Sequence, residues 1–159
     1  MATSAHVVAN EFLRLAQERR TALTPLQLMK LVYIAHGWML GLRHRPLITN
    51  RIEAWRYGPV IPDLYSLTKK FGSGAVVGDL APWFMTRAPR LDAEEKDLTQ
   101  QVFDIYGDLS GIQLSAMTHK QGTPWAQTYR PDVWNIPISN DIIAEHYRQL
   151  GRGPEPANH

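Results

Sequence analysis

Cysteine is absent from the 159 residues. That excludes disulfides, thiolate zinc sites, iron–sulfur clusters and cysteine nucleophiles. Its absence also fits a reducing compartment. No apolar run approaches the ~18 residues that a membrane span needs. The opening Met1-Ala2-Thr3-Ser4-Ala5-His6 has no basic stretch leading into an apolar one, so no signal peptide is expected and the cytoplasm is the expected location. Metal motifs are lacking too. Of His6, His36, His44, His119, His146 and His159, no two stand four residues apart, and H-E-x-x-H does not occur. These histidines read as structural or surface residues, and neither metal nor cofactor is expected. Gly72-Ser73-Gly74-Ala75-Val76-Val77-Gly78 lacks the lysine of a phosphate loop and the glycine spacing of a dinucleotide fold, so it reads as a flexible connection. There is no G-x-S-x-G elbow. Glu53 and Asp63 come nearest to a catalytic carboxylate pair, but capping and surface pairing are their nearer roles. Catalysis therefore has no positive support, and no enzyme is expected.

Net charge is also scarce: 17 basic residues against 15 acidic ones leave +2. The distribution is less even. Arg43, His44, Arg45, Arg51 and Arg56 cluster with only Glu53 against them. Asp92, Glu94, Glu95, Asp97, Asp104 and Asp108 cluster around Lys96. Either the molecule is bipolar and steers partners, or these are two solvated faces.

What the chain does have is helix punctuation. A first helix is expected from about Ser4 to Arg19, with Val8, Phe12 and Leu15 inside. Thr24, Pro25 and Gln27 form an N-cap, a first-position proline and a capping box. They open a helix whose stripe is Leu28, Leu31, Val32, Ala35, Met39 and Leu42. Gly37 and Gly41 on its other face suggest close helix packing. Ile52 to Tyr57 alternates like a short strand ended by Gly58-Pro59. Pro62 opens a helix with Val60, Leu64, Leu67 and Phe71 on one face, stopped by Gly72. Residues 72–90 read as a loop or a second hairpin near Val76-Val77. Asp92/Glu95 and Ser110/Gln113 are further capping boxes, with Leu109 and Leu114 placed as a hydrophobic staple. The first box opens a helix with Leu98, Val102, Ile105 and Tyr106 inward, and the second a helix to His119. Thr123-Pro124 starts a short helix to Tyr129. Ser139 or Asn140 caps a last helix carrying Ile142, Ile143, Tyr147 and Leu150. The expected fold is mainly α: a compact single-domain bundle of about six helices with a small β-hairpin or strand. It spans residues 4–151, with a disordered tail at 152–159.

Aromatics are the other surplus, with five tryptophans. Trp38 lies about 240° around the helix from Val32 and is expected to pack on the first helix. Trp55 and Tyr57 share one side of the strand, and Trp125 follows a helix-opening proline. Such rings serve equally as core or as interface.

These residues converge on a family. Leu26-Gln27-Leu28-Met29-Lys30-Leu31-Val32-Tyr33-Ile34-Ala35-His36-Gly37-Trp38 resembles the "LQKLLYYAQGW" segment of the SocA-like Panacea domain, also seen in phage-associated GepA-type proteins. Glu53-Ala54-Trp55-Arg56-Tyr57-Gly58-Pro59-Val60-Ile61-Pro62 resembles its "EAWxyGPVxP" motif. Tyr65 and Lys69-Lys70-Phe71-Gly72 match the helix that follows. Tyr106-Gly107-Asp108-Leu109-Ser110, Leu114-Ser115, Thr118-His119 and Pro124-Trp125 resemble its "YGxLS…LSxxTHxexPW" pattern. Met29 and the extra Thr123 depart from it. The matching positions are Lys30, Tyr33, Gly37, Trp38, Glu53, Trp55, Tyr57, Gly58, Pro59, Thr118, His119 and Trp125, and many serve the fold. Gly58-Pro59 enforces a turn, and Thr118-His119 is expected to cap or bridge helices.

The resemblance implies the antitoxin of a type II toxin–antitoxin system, binding a cognate toxin protein directly. It transfers no catalytic residues. The edge bearing Trp55, Tyr57 and Pro59 with Arg43, Arg45, Arg51 and Arg56 is the expected partner surface. Two alternatives stay open: an adaptor that hands the toxin to a protease, using the tail, or a nucleic-acid-binding autoregulator using Arg43 to Arg56. Against the latter, no recognition helix is evident, so nucleic acid is not the expected partner.

Overall fold

Thr24 accepts a hydrogen bond from the Gln27 backbone N–H while the Gln27 side chain accepts one from the Thr24 N–H. This reciprocal pair opens α2 (Pro25–Arg43), the central helix of the fold. The computed structural model describes residues 2–82, 84–85 and 90–153. Residues 28 to 37 of α2 are buried without interruption, so this helix is apolar all round, as a central helix must be. Around it pack α1 (Ala5–Glu18), α4 (Ala93–Tyr106), α5 (Gly111–His119) and α7 (Asn140–Gly151). The short α3 (Pro62–Thr68) and α6 (Pro124–Thr128) complete a mainly α architecture, and a 3-10 turn at Lys69–Phe71 extends α3. Gly72, at φ +57, closes that turn.

Caps set the helix starts as expected. Asp92 with Glu95 and Ser110 with Gln113 form complete boxes. Thr123 receives Ala126 N–H, and Ser139 receives Ile142 N–H. Ser4 makes no side-chain cap bond; Asn50 accepts the Ala5 N–H instead, at 2.6 Å.

Gly37 and Gly41 lie where α7 crosses. A Cβ on Gly37 would sit 2.2 Å from the Tyr147 ring, and one on Gly41 would sit 2.9 Å from the Arg148 backbone nitrogen. Tyr147 in turn meets Tyr33 and Trp38 edge-on, with centroids 6.4 and 5.1 Å apart. Trp38 also donates its indole N–H to the Tyr106 hydroxyl at 3.1 Å. It therefore packs between α4 and α7, not on α1. Leu42, Ile105 and Leu150, expected inside, are exposed. On α4 the inward face runs through Leu98, Thr99, Val102 and Phe103, so Ile105 falls on the far side.

The β element is larger than expected. β1 (Glu53–Trp55) pairs antiparallel with β2 (Gly58–Val60), and β3 (Ile136–Pro137) adds to the other side, giving the order β2-β1-β3. Gly58-Pro59 thus continues the sheet after a two-residue turn. Gly58 takes φ +123, a value only glycine adopts easily. Pro59 is tolerated because β2 is an edge strand. Val76 and Val77 form no strand; Val76 is buried and donates to Leu23 O. Trp83 and residues 86–89 of that loop, and residues 154–159 of the expected tail, lie outside the described residues.

The two charge clusters are joined in part. Arg43 reaches Glu94 and Asp97, and Arg45 reaches Asp92, Glu94 and Glu95. Two of the five residues of the basic cluster are thereby spent on the acidic helix. No helix among the described residues is long and apolar enough to cross a membrane.

Candidate protein-binding surface

The three motif segments meet at the β1–β2 hairpin. Lys30 rises from α2 beneath it and donates from Nζ to Pro59 O at 2.8 Å. Its residue is only 1% exposed, and burial lowers its pKa to about 8. A Cβ on Gly58 would lie 2.8 Å from that Nζ, so glycine here meets both a backbone and a packing demand. Glu53 is buried, accepts the Trp55 indole N–H at 2.9 Å and forms an ion pair with Arg51 at 2.8 Å. Trp125 donates to Trp55 O at 2.5 Å, and Ser115 donates to Tyr57 O at 3.0 Å. His119 donates from Nδ1 to Ser115 O and sets its ring edge-on to Trp125. Trp125 stacks on Tyr129 at 4.7 Å and 16°. Thr118 donates only to carbonyls of its own helix, Leu114 O and Ser115 O, so it neither caps nor bridges helices.

Most motif residues therefore act by holding the hairpin. Tyr33, Gly37 and Trp38 form a separate group on α2, packed against α7. The hairpin presents what the motifs do not bury: the Arg56–Tyr57 turn, with the guanidinium 5.3 Å from the Tyr57 ring centroid and Tyr57 itself 69% exposed.

A groove runs down each side of this ridge, and Trp55 and Arg56 line both. One, of about 440 Å³, is completed by Leu26, Met29, Lys30, Tyr57, Tyr65 and Lys69. Tyr65 meets Trp55 edge-on at 5.2 Å there. The other, of about 640 Å³, is completed by Ala54, Tyr129, Pro131, Val133, Trp134 and Asn135. Trp134 is 86% exposed, yet it stands outside every motif. Its only sequence signal was a large ring in a polar loop.

The structure divides the expected surface set. Trp55, Arg56 and Tyr57 are together at the hairpin surface, whereas Pro59 is buried in β2 with its carbonyl held by Lys30. Arg51 joins them at the rim, donating to Asn135 O at 2.9 Å. Arg43 and Arg45 stand at the other end of α2, roughly 20 Å along the axis from Lys30, and hold the α4 carboxylates. The Arg43–Arg56 segment is thus no continuous cationic track for a nucleic acid. Glu53 and Asp63 do not pair either: Asp63 accepts from Asn50 at 2.8 Å. Among the described residues no group of three or more His, Asp or Glu could hold a metal.

The profile described as Antitoxin SocA-like, Panacea domain matches residues 28–126, and the chain belongs to that family. A relative with a curated name is Antitoxin SocA of Caulobacter vibrioides (strain NA1000 / CB15N). It is 32% identical over 127 residues, which cover 76% of this chain and 68% of that protein. No solved structure matches the chain.

Proposed function

We propose that this protein is the antitoxin of a type II toxin–antitoxin pair. It acts in the cytoplasm, without catalysis, and neutralises its toxin by direct binding with the hairpin face of a domain spanning residues 4–151. Membership of the antitoxin family supports the general role. The observation that carries the binding reading is the division of labour at the hairpin. Lys30, Ser115 and Trp125, from three segments, fix its backbone, while Arg56 and Tyr57 are left projecting into solvent. A rigid scaffold carrying an exposed aromatic and a guanidinium is how protein interfaces place their anchors.

The test is growth rescue. The product of the adjacent reading frame is induced alone and together with this chain. Arrest in the first case, with growth and co-purification of the two proteins in the second, is expected. Rescue without physical association would refute direct binding, and arrest in both cases would refute the antitoxin role.

A further inference from the structure

We propose that the two grooves flanking Trp55 together receive one acidic segment of a partner protein, its apolar side chains seated on either side of the Trp55–Arg56 ridge and its carboxylates against Arg56 and Lys69. The segment would belong to the toxin, so its biological identity rests on the antitoxin reading; the chemistry of the site does not.

Charge is the first argument. No Asp or Glu lines either groove, whereas Arg56 lines both, and Lys30 and Lys69 line one. Several arginines elsewhere find carboxylates close by: Arg14 with Glu11 and Glu18, Arg19 with Asp104, Arg45 with α4, Arg51 with Glu53. Among the described residues, Arg56 and Lys69 have no such partner. Lys30 strengthens the bias from below, since its buried ammonium has one acceptor, Pro59 O, for three N–H donors. An occupant bearing carboxylates supplies the missing sign.

Shape and polarity are the second argument, and they favour a protein over a nucleic acid. The walls are Leu26, Met29, Tyr65, Val133 and Trp134, which suit aliphatic and aromatic anchors in desolvated pockets. Backbone recognition of a nucleic acid wants a row of cations tracking phosphates. Here Arg43, Arg45 and Arg51 are held by carboxylates of the chain itself. The two volumes, about 440 and 640 Å³, lie within the range of recognition pockets. Trp134, almost wholly exposed, would close over an occupant of the larger groove.

The test uses the full chain and a phage-displayed library of random dodecapeptides. Selected peptides are synthesised, and their binding is measured by fluorescence anisotropy to wild type, Arg56→Glu, Trp134→Ala and the charge-matched control Lys96→Glu. Arg56 and Trp134 both project into solvent, so melting temperatures should stay at the wild-type value. The expected peptides combine Asp or Glu with Trp, Phe or Leu. Their affinity falls by about tenfold or more in Arg56→Glu and in Trp134→Ala and is unchanged in Lys96→Glu. Replacing the peptide's acid by arginine restores binding to Arg56→Glu. Failure to select peptides, selection without an acidic bias, or equal binding to all variants overturns the proposal. So does displacement of the peptide by a single-stranded DNA oligonucleotide at low salt. The growth assay keeps the two readings apart. Full rescue by Arg56→Glu and Trp134→Ala would overturn the groove proposal and leave the antitoxin role standing. Peptide binding without rescue by wild type would overturn the antitoxin role alone.

Discussion

Replacing Lys30 by methionine should stabilise the protein, and the gain should vanish as the pH rises. The perturbation keeps the length of the side chain and removes a charge that the fold has buried. The folded-state pKa of about 8 stands below the ordinary value of 10.5 because burial disfavours the ammonium. At 1.36 kcal/mol per tenfold, that gap means a cost of about 3 kcal/mol while both states are protonated. Methionine also forfeits the bond to Pro59 O, at about 1 kcal/mol. The net expectation at pH 7 is a variant more stable by about 2 kcal/mol, in line with apolar replacement of buried charges. Between pH 8 and 10.5 the unfolded chain holds the proton that the folded chain has released. The wild type therefore gains stability there by about 1.4 kcal/mol per pH unit, and the difference between the proteins shrinks. Urea midpoints at pH 7, 8, 9 and 10 measure it. Buried Tyr33 and Tyr147, whose hydroxyl pKa values are raised by burial, destabilise both proteins alike near pH 10 and cancel in the difference. A difference that stays constant with pH, or a methionine variant less stable throughout, would refute the reasoning.

Two further outcomes follow from the α2 packing. Gly37→Ala should lower stability by about 1–3 kcal/mol, although alanine is intrinsically the better helix former, because its Cβ meets a Tyr147 ring already wedged between Tyr33 and Trp38; a raised melting temperature would contradict the close crossing. Stability should also fall as the pH drops below about 6.5, the ordinary histidine value. Buried His36 accepts the Leu47 and Ile48 N–H groups on Nδ1 and donates from Nε2 to Asn140, and burial holds its pKa below that value. The unfolded chain takes up the proton first, so stability is present above 6.5 and declines below it. His36→Asn, whose oxygen can replace Nδ1, should show a flatter thermal stability profile from pH 7 to 5 than wild type.

The helix starts were legible because capping is a local matter. Thr24 with Gln27, Asp92 with Glu95 and Ser110 with Gln113 each act across three residues, and all appear in the structure as bonds. What was not legible depends on distance along the chain. Ile136–Pro137 reads as a loop until β1 stands beside it, since two residues with a proline have no period of their own. Arg45 and Glu94 are separated by 49 residues, so the ion pairs that join Arg43 and Arg45 to the acidic helix carry no local signal. The candidate surface was half visible. The "EAWxyGPVxP" segment pointed to the hairpin, but its residues mostly support that hairpin from within. Trp134, which faces solvent beside it, belongs to no motif. Lys30 matched the family pattern, and only the packing reveals it as a buried cation.

The meshing of α7 against Gly37 and Gly41 also sets how much chain the molecule needs. The family match ends at residue 126, but the helix that covers α2 begins at Asn140, and β3 arrives at Ile136. A fragment trimmed to the matched segment would leave Tyr33, Gly37 and Gly41 bare and remove one strand from the sheet that carries the Arg56–Tyr57 turn. During synthesis the same holds: the central helix leaves the ribosome long before its cover. A chain interrupted before Ser139 would therefore display an uncovered apolar face, a mark by which proteolysis can tell it from a finished molecule.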